Sequence, residues 1–134
     1  MQFGIIEQAG GVALAVTADV TDQDSCDNMV AEAVKAYGKL DILVNCAGIL
    51  RDRMIFNMTE EEWDGVLGVH LYGAYNMVRN CVPHMMEQQY GRVVLFSSSS
   101  GLGVAGQANY ASAKEGVGGF ARSLAVELAE HGIS

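Results

Sequence analysis

Tyr110 and Lys114 stand four residues apart in the stretch GQANYASAKEGVGGF, residues 106–120. On a helix that spacing stacks both side chains on one face. An ammonium close to a phenol stabilises the phenolate and lowers the tyrosine's pKa. A tyrosine tuned in this way gives or takes a proton near neutral pH. The same spacing also occurs on solvated helix faces, so the neighbourhood has to decide. Two turns supply that neighbourhood. Four serines, Ser97 to Ser100, follow an apolar run and precede Tyr110 by a short Gly-rich loop. Asn45-Cys46-Ala47-Gly48 follows a second apolar run, and small residues there let a backbone come close to a ligand.

Taken in order, these residues resemble the short-chain dehydrogenase/reductase family. That family carries an Asn-Asn-Ala-Gly turn, then a serine, then Tyr-x-x-x-Lys. The resemblance runs from about Gly10 to Ser134 and departs at Cys46, where the family has asparagine. It implies hydride transfer between NAD or NADP and a carbonyl or alcohol carbon of a small-molecule substrate. It implies Tyr110 as general acid/base, and Lys114 as the cation that depresses its pKa and holds the nicotinamide ribose. A serine is implied on the substrate oxygen. Counting from Gly91 selects Ser98, and counting back from Tyr110 selects Ser97; Ser98 is preferred, and a turn-capping hydroxyl is the alternative for any of the four. The family's fourth member, an asparagine in the long central helix, falls at His70, which on an apolar face could equally be a core histidine. A histidine can hold a water and pass protons there. Asp19 and Val20 are implied against the adenine, although Asp19 could be a simple turn residue. Asn45, Ala47 and Gly48 are implied along the cofactor. The words AGILRDR, residues 47–53, resemble the branch that handles 3-oxoacyl or 3-hydroxyacyl thioesters in fatty acid metabolism.

The implied fold is α/β, part of a Rossmann-like doubly wound parallel sheet in three layers, with its first βαβ unit missing. No glycine cluster before Val12 matches the family's Gly-rich pyrophosphate turn, and the family continues past Ser134 into a strand and a substrate lid. The expectation is therefore one partial domain over residues 1–134, an internal segment of a longer enzyme. An alternative is a catalytically inactive fragment that keeps its helices as an association module. The resemblance also implies homo-oligomers through the long central helix and the Tyr-Lys helix.

Composition is compatible with this. With 134 residues, half of them apolar, 16 glycines and one proline, the chain suits a single α/β unit with tight turns. A formal charge of −8 argues against nucleic acid or an anionic membrane as partner. Cys26, Cys46 and Cys81 form no Cys-x-x-Cys, and His70, His84 and His131 show no ligand spacing, so no metal is expected. Free thiols, the lack of any lysine or arginine before Lys35, and no membrane-length apolar run point to the cytoplasm.

The elements that must position these residues follow from periodicity. Residues 2–8 read as a helix tail stopped at Gly10-Gly11. Residues 12–18, VALAVTA, read as a buried parallel strand. In the doubly wound strand order it would stand about three strand spacings, roughly 14 Å, from the next strand of this chain. Thr21 is expected to cap a helix ended by Gly38. Residues 40–44 and 92–96 read as strands, and 49–58 as a connector. Thr59 and Glu62 form a capping box. The long helix after it buries Trp63, Val66, Leu67, His70, Ala74, Met77, Val78 and Cys81 on one face, with Pro83 expected to bend or end its first segment. The last helix carries Tyr110, Lys114, Val117, Ala121, Leu124 and Leu128 near one stripe. Alternating strands and helices imply right-handed βαβ crossovers.

Overall fold

Glycine and capping residues set most of the helix limits. The structure, a computed structural model, describes residues 3–134. Helix α1 covers Phe3–Gln8, and Gly10 follows with φ +83°; Gln2 lies outside the described residues. Helix α2 covers Gln23–Tyr37 and closes on Gly38, whose φ of +77° suits a residue without Cβ. Its cap is Asp22, which accepts the Ser25 N–H, and not Thr21. Thr21 instead spends its hydroxyl on Asp19 Oδ1 at 2.8 Å, a local bond that competes with capping.

Helix α3, Glu60–Leu67, opens with the complete capping box of Thr59 and Glu62. It runs into a wide π-helical turn, Gly68–Tyr72, closed by the Gly73 N–H on the Gly68 carbonyl. Helix α4, Gly73–Gln88, continues from there. Pro83 does not end it. Pro83 and Arg79, whose carbonyl loses its partner, both lie on the exposed side, while Cys81 and Met85 are packed beneath. The irregularity sits earlier, at the π turn Gly68–Tyr72. Helix α5 is Ala108–Glu127, and the chain closes through a short 3₁₀ turn, Ala129–His131, onto Gly132.

The sheet has two parallel strands, β1 (Ile42–Asn45) and β2 (Arg92–Leu95), in register Leu43 to Val93 and Asn45 to Leu95. Both are a little shorter than the apolar runs that encode them. The second edge of β2 is met by the end of the chain, where Ile133 bridges Gly91 and the Val93 N–H donates to the Ser134 carbonyl.

Residues 12–18 do not form the expected strand. They run without a ladder partner and are largely exposed, Val12 at 80%. An apolar run that lacks a neighbour keeps its backbone groups paired to water, since burying them unpaired costs more than the side chains return.

The core lies on one face of the sheet. Cys26 and Val30 of α2, Leu43 of β1, and Met77, Val78, Cys81 and Met85 of α4 pack together with Leu128 and Ile133. Ile42, Val44 and Val94 on the other face are exposed. Both faces being apolar is the signature of a parallel strand made to be covered twice.

Candidate functional site

Three elements deliver the chemistry. Helix α5 carries Tyr110 and Lys114, one turn apart as their spacing requires. The π turn carries His70, and the turn after β1 carries Gly48 and Ile49. They meet in an open cleft of about 340 Å³ lined by Cys46, Gly48, Ile49, Leu50, His70, Tyr110 and Lys114.

Lys114 is buried, and its Nζ donates to the Phe96 carbonyl at the end of β2, 2.6 Å away. The same Nζ stands 5.6 Å from the Tyr110 ring centre. Burial pulls the Lys114 ammonium below its ordinary value. His70 is also buried, and its ring packs edge-on against Tyr110 with centroids 5.0 Å apart. Its Nε2 faces both backbone groups of Ile49, 2.8 Å from the oxygen and 3.1 Å from the nitrogen. Burial, and then the Lys114 charge, lower the His70 pKa, while the Ile49 carbonyl pulls the other way. The neutral ring has one N–H. With the proton on Nε2 it donates to the Ile49 oxygen, and Nδ1 is left as a buried acceptor without a partner.

Gly48 is required here. A Cβ at that position would fall 2.5 Å from His70 Cε1, so no larger residue fits between the turn and the ring. Gly116 does the same service on α5, where a Cβ would come within 3.1 Å of Leu71. Gly116 thus lets α5 approach Leu71 closely.

The remaining expected residues lie outside the cleft lining. Asn45 is the last residue of β1, and Ala47 follows it half-buried. Asp19 is exposed, with its carboxylate held below the usual range by the Thr21 backbone and hydroxyl donors. Val20 packs against α4, where a Cβ on Gly73 would lie 2.8 Å from its side chain. Its carbonyl accepts from Asn76 Nδ2 at 2.8 Å. Ser98 opens the 3₁₀ turn Ser99–Leu102, its hydroxyl accepting the Ser100 N–H. Ser97 donates to the Lys114 carbonyl at 3.3 Å. The hydroxyls of both serines are thus engaged with backbone.

Sequence reasoning missed Ile49, which acts through its backbone and so leaves no side-chain signal. It also missed Asn109, which is fully buried beside Tyr110. Among the described residues no helix is long and apolar enough to cross a membrane.

Comparison with known proteins gives the family of the chain. The chain is 45% identical over 129 residues to the short-chain reductase protein NovJ of Streptomyces niveus, covering 96% of this chain and 49% of that protein. It is 42% identical over 130 residues to the 3-oxoacyl-[acyl-carrier-protein] reductase FabG of Staphylococcus aureus, covering 96% and 53%. It is 43% identical over 134 aligned residues to the hydroxyacyl-CoA dehydrogenase ChsB1 of Mycobacterium tuberculosis, covering 93% and 42%. The chain thus spans about half the length of the curated relatives it matches. The family model described as short chain dehydrogenase matches residues 4–134, nearly every residue from α1 to the last turn, and the chain belongs to that family with its Rossmann-like α/β fold.

Proposed function

We propose that these residues are the catalytic part of an NAD(P)-dependent oxidoreductase acting on a 3-oxoacyl or 3-hydroxyacyl thioester. The observation that carries the reading is the meeting of Gly48, His70, Tyr110 and Lys114 in one cleft. Two of the named relatives, the FabG reductase and the ChsB1 dehydrogenase, support the acyl branch. Because the chain spans about half of such proteins, the activity is proposed for the whole protein of which residues 1–134 are one partial domain.

The cleft suits the nicotinamide half of a dinucleotide: a buried cation and a phenol line it, and Gly48 lets the His70 ring close against the loop after β1. Lys114 and Tyr110 would hold the ribose hydroxyls, with Gly48 and its turn along one side. When bound, the nicotinamide supplies or accepts the hydride. Tyr110 gives a proton to the carbonyl oxygen in reduction and takes it back in oxidation. The Lys114 cation stabilises negative charge on the phenol oxygen as that proton leaves. Ser98, with Ser97 in reserve, hydrogen-bonds the substrate oxygen. His70 stays neutral under burial and holds the loop after β1 against Tyr110. Asp19, Val20, Asn45 and Ala47 would lie along the rest of the cofactor. Self-association belongs to the same proposal. Leu71, Tyr72, Tyr75 and Phe120 line an open apolar cleft of about 300 Å³ on the central helix and α5, and sedimentation velocity would register a partner copy there.

The test is Tyr110→Phe in the whole protein, assayed with a 3-oxoacyl thioester and each reduced dinucleotide. Turnover should fall by at least about 100-fold with circular dichroism unchanged. Turnover within a few-fold of wild type would overturn the assignment.

A further inference from the structure

Asn109 is wholly buried one residue before Tyr110, and its hydrogen-bonding capacity is spread over three segments. Nδ2 donates to the Arg51 carbonyl at 3.0 Å and to the Glu62 carbonyl at 3.0 Å. Oδ1 accepts the Tyr110 N–H at 2.8 Å. The partners belong to the loop after β1, to α3 and to α5. Only a primary amide offers two N–H donors and an acceptor in one plane at this size.

A more exposed seam runs alongside. The Arg53 N–H donates to the Gly106 carbonyl at 2.8 Å, and Gln107 Nε2 donates to Asp52 at 2.9 Å. The Arg53 guanidinium reaches Glu62 at 2.8 Å, and Glu62 is also the capping-box partner of Thr59. Asn109 is the one fully buried member of this set. The loop it grips continues back, two residues from Arg51, to Ile49, whose backbone faces His70 Nε2. His70 in turn packs on Tyr110. The path is a closed ring, from Tyr110 through Asn109, the loop and His70 back to Tyr110.

We propose that Asn109 is a positioning residue that sets the Tyr110–His70 contact by tying the loop after β1 and α3 to the first turn of α5. It rests on the catalytic reading above only for its effect on turnover. The discriminating variant is Asn109→Asp. It keeps the volume and the acceptor for the Tyr110 N–H but turns carboxylate oxygen toward two carbonyls. Asn109→Leu is its companion, which keeps the volume with no polar group; a residue that merely filled space would tolerate that change.

In the wild-type chain the nuclear Overhauser effect between the His70 and Tyr110 rings should be strong. It should be lost in Asn109→Asp and Asn109→Leu. Amide exchange over residues 49–53 should rise at least tenfold in both variants, with α4 and β2 unchanged. Wild-type contact and exchange in Asn109→Asp would overturn the proposal. Should a variant fail to fold, the wild-type chain decides alone. Slow-exchanging Asn109 side-chain protons with scalar couplings to the Arg51 and Glu62 carbonyls support the tether, and fast exchange without couplings overturns it. In the active protein the tether requires kcat to fall at least tenfold in Asn109→Asp with KM within twofold; an unchanged kcat would overturn it. The contact and exchange readouts need no turnover, so they stand or fall separately from the role of Tyr110.

Discussion

Residues 12–18 and strand β1 are two apolar runs of similar character with opposite fates. VALAVTA lies unpaired and largely in water, while ILVN pairs with β2 and buries Leu43 to 8% exposure. Apolar character alone does not account for this, since VALAVTA holds two valines and a leucine and ILVN holds one each of Ile, Leu and Val. The neighbour does. A strand is stabilised by its cross-strand pairs and by the ladder that satisfies its backbone, and only β1 has them. Strand formation is thus a property of two segments, and an apolar run states only half of it.

The largest expected effect separates the two runs directly. Leu43→Ala removes a core side chain and should cost about 2–5 kcal/mol in urea unfolding. Leu14→Ala should change stability by less than about 0.5 kcal/mol, as for an exposed site. If both cost the same, residues 12–18 are packed in solution and the contrast between the runs collapses.

A smaller effect sharpens the comparison from the packed side, at the buried His70. Burial holds the folded His70 below the ordinary value of 6.5. Near 6.5 and below, the unfolded ring therefore binds a proton that the folded one refuses. Stability from this group is present above 6.5 and is lost as pH falls toward the depressed folded value. His70→Asn should flatten that part of the stability profile between pH 7.5 and 5.5. An identical slope in the variant would mean that His70 does not titrate differently on folding.

The smallest effect is a difference in labelling rate. Cys46 is exposed and should react with a thiol reagent at once; Cys26 and Cys81 are buried. Burial pushes the Cys81 thiol up to about 12. The Cys26 thiol donates to the Val20 carbonyl at 3.5 Å and to the Asp19 carbonyl at 3.7 Å, at the end of the unpaired run. Local opening there should label Cys26 before Cys81. The reverse order would place the weak region in α4 instead.

Much of the site could be read from residue types because it depends on helical spacing and on turns. Tyr110 and Lys114 share a face, the Thr59–Glu62 box opens α3, and His70 meets Tyr110. What could not be read depends on competition for one partner or on backbone. Thr21 and Asp22 are both good caps, and the choice fell to Asp22 because Asp19 holds the Thr21 hydroxyl. Ser97 and Ser98 differ only in which backbone group each hydroxyl meets. Asn109 looks like an ordinary polar residue near a helix start, and its importance lies in two carbonyls 47 and 58 positions away. Pro83 is the strongest local signal in the central helix, yet it sits where its missing donor faces solvent.

The wide turn at Gly68–Tyr72 has a consequence for phase. A turn closed from residue i to i+5 holds roughly one residue more than an α turn, which rotates everything after it by about 100°. The stripe of α3 and the stripe of α4 need not point the same way. Helix α3 packs on α5, while α4 packs on α2 and β1. Two helices that read as one continuous amphipathic pattern thus address two partners, with His70 in the turn where the direction changes.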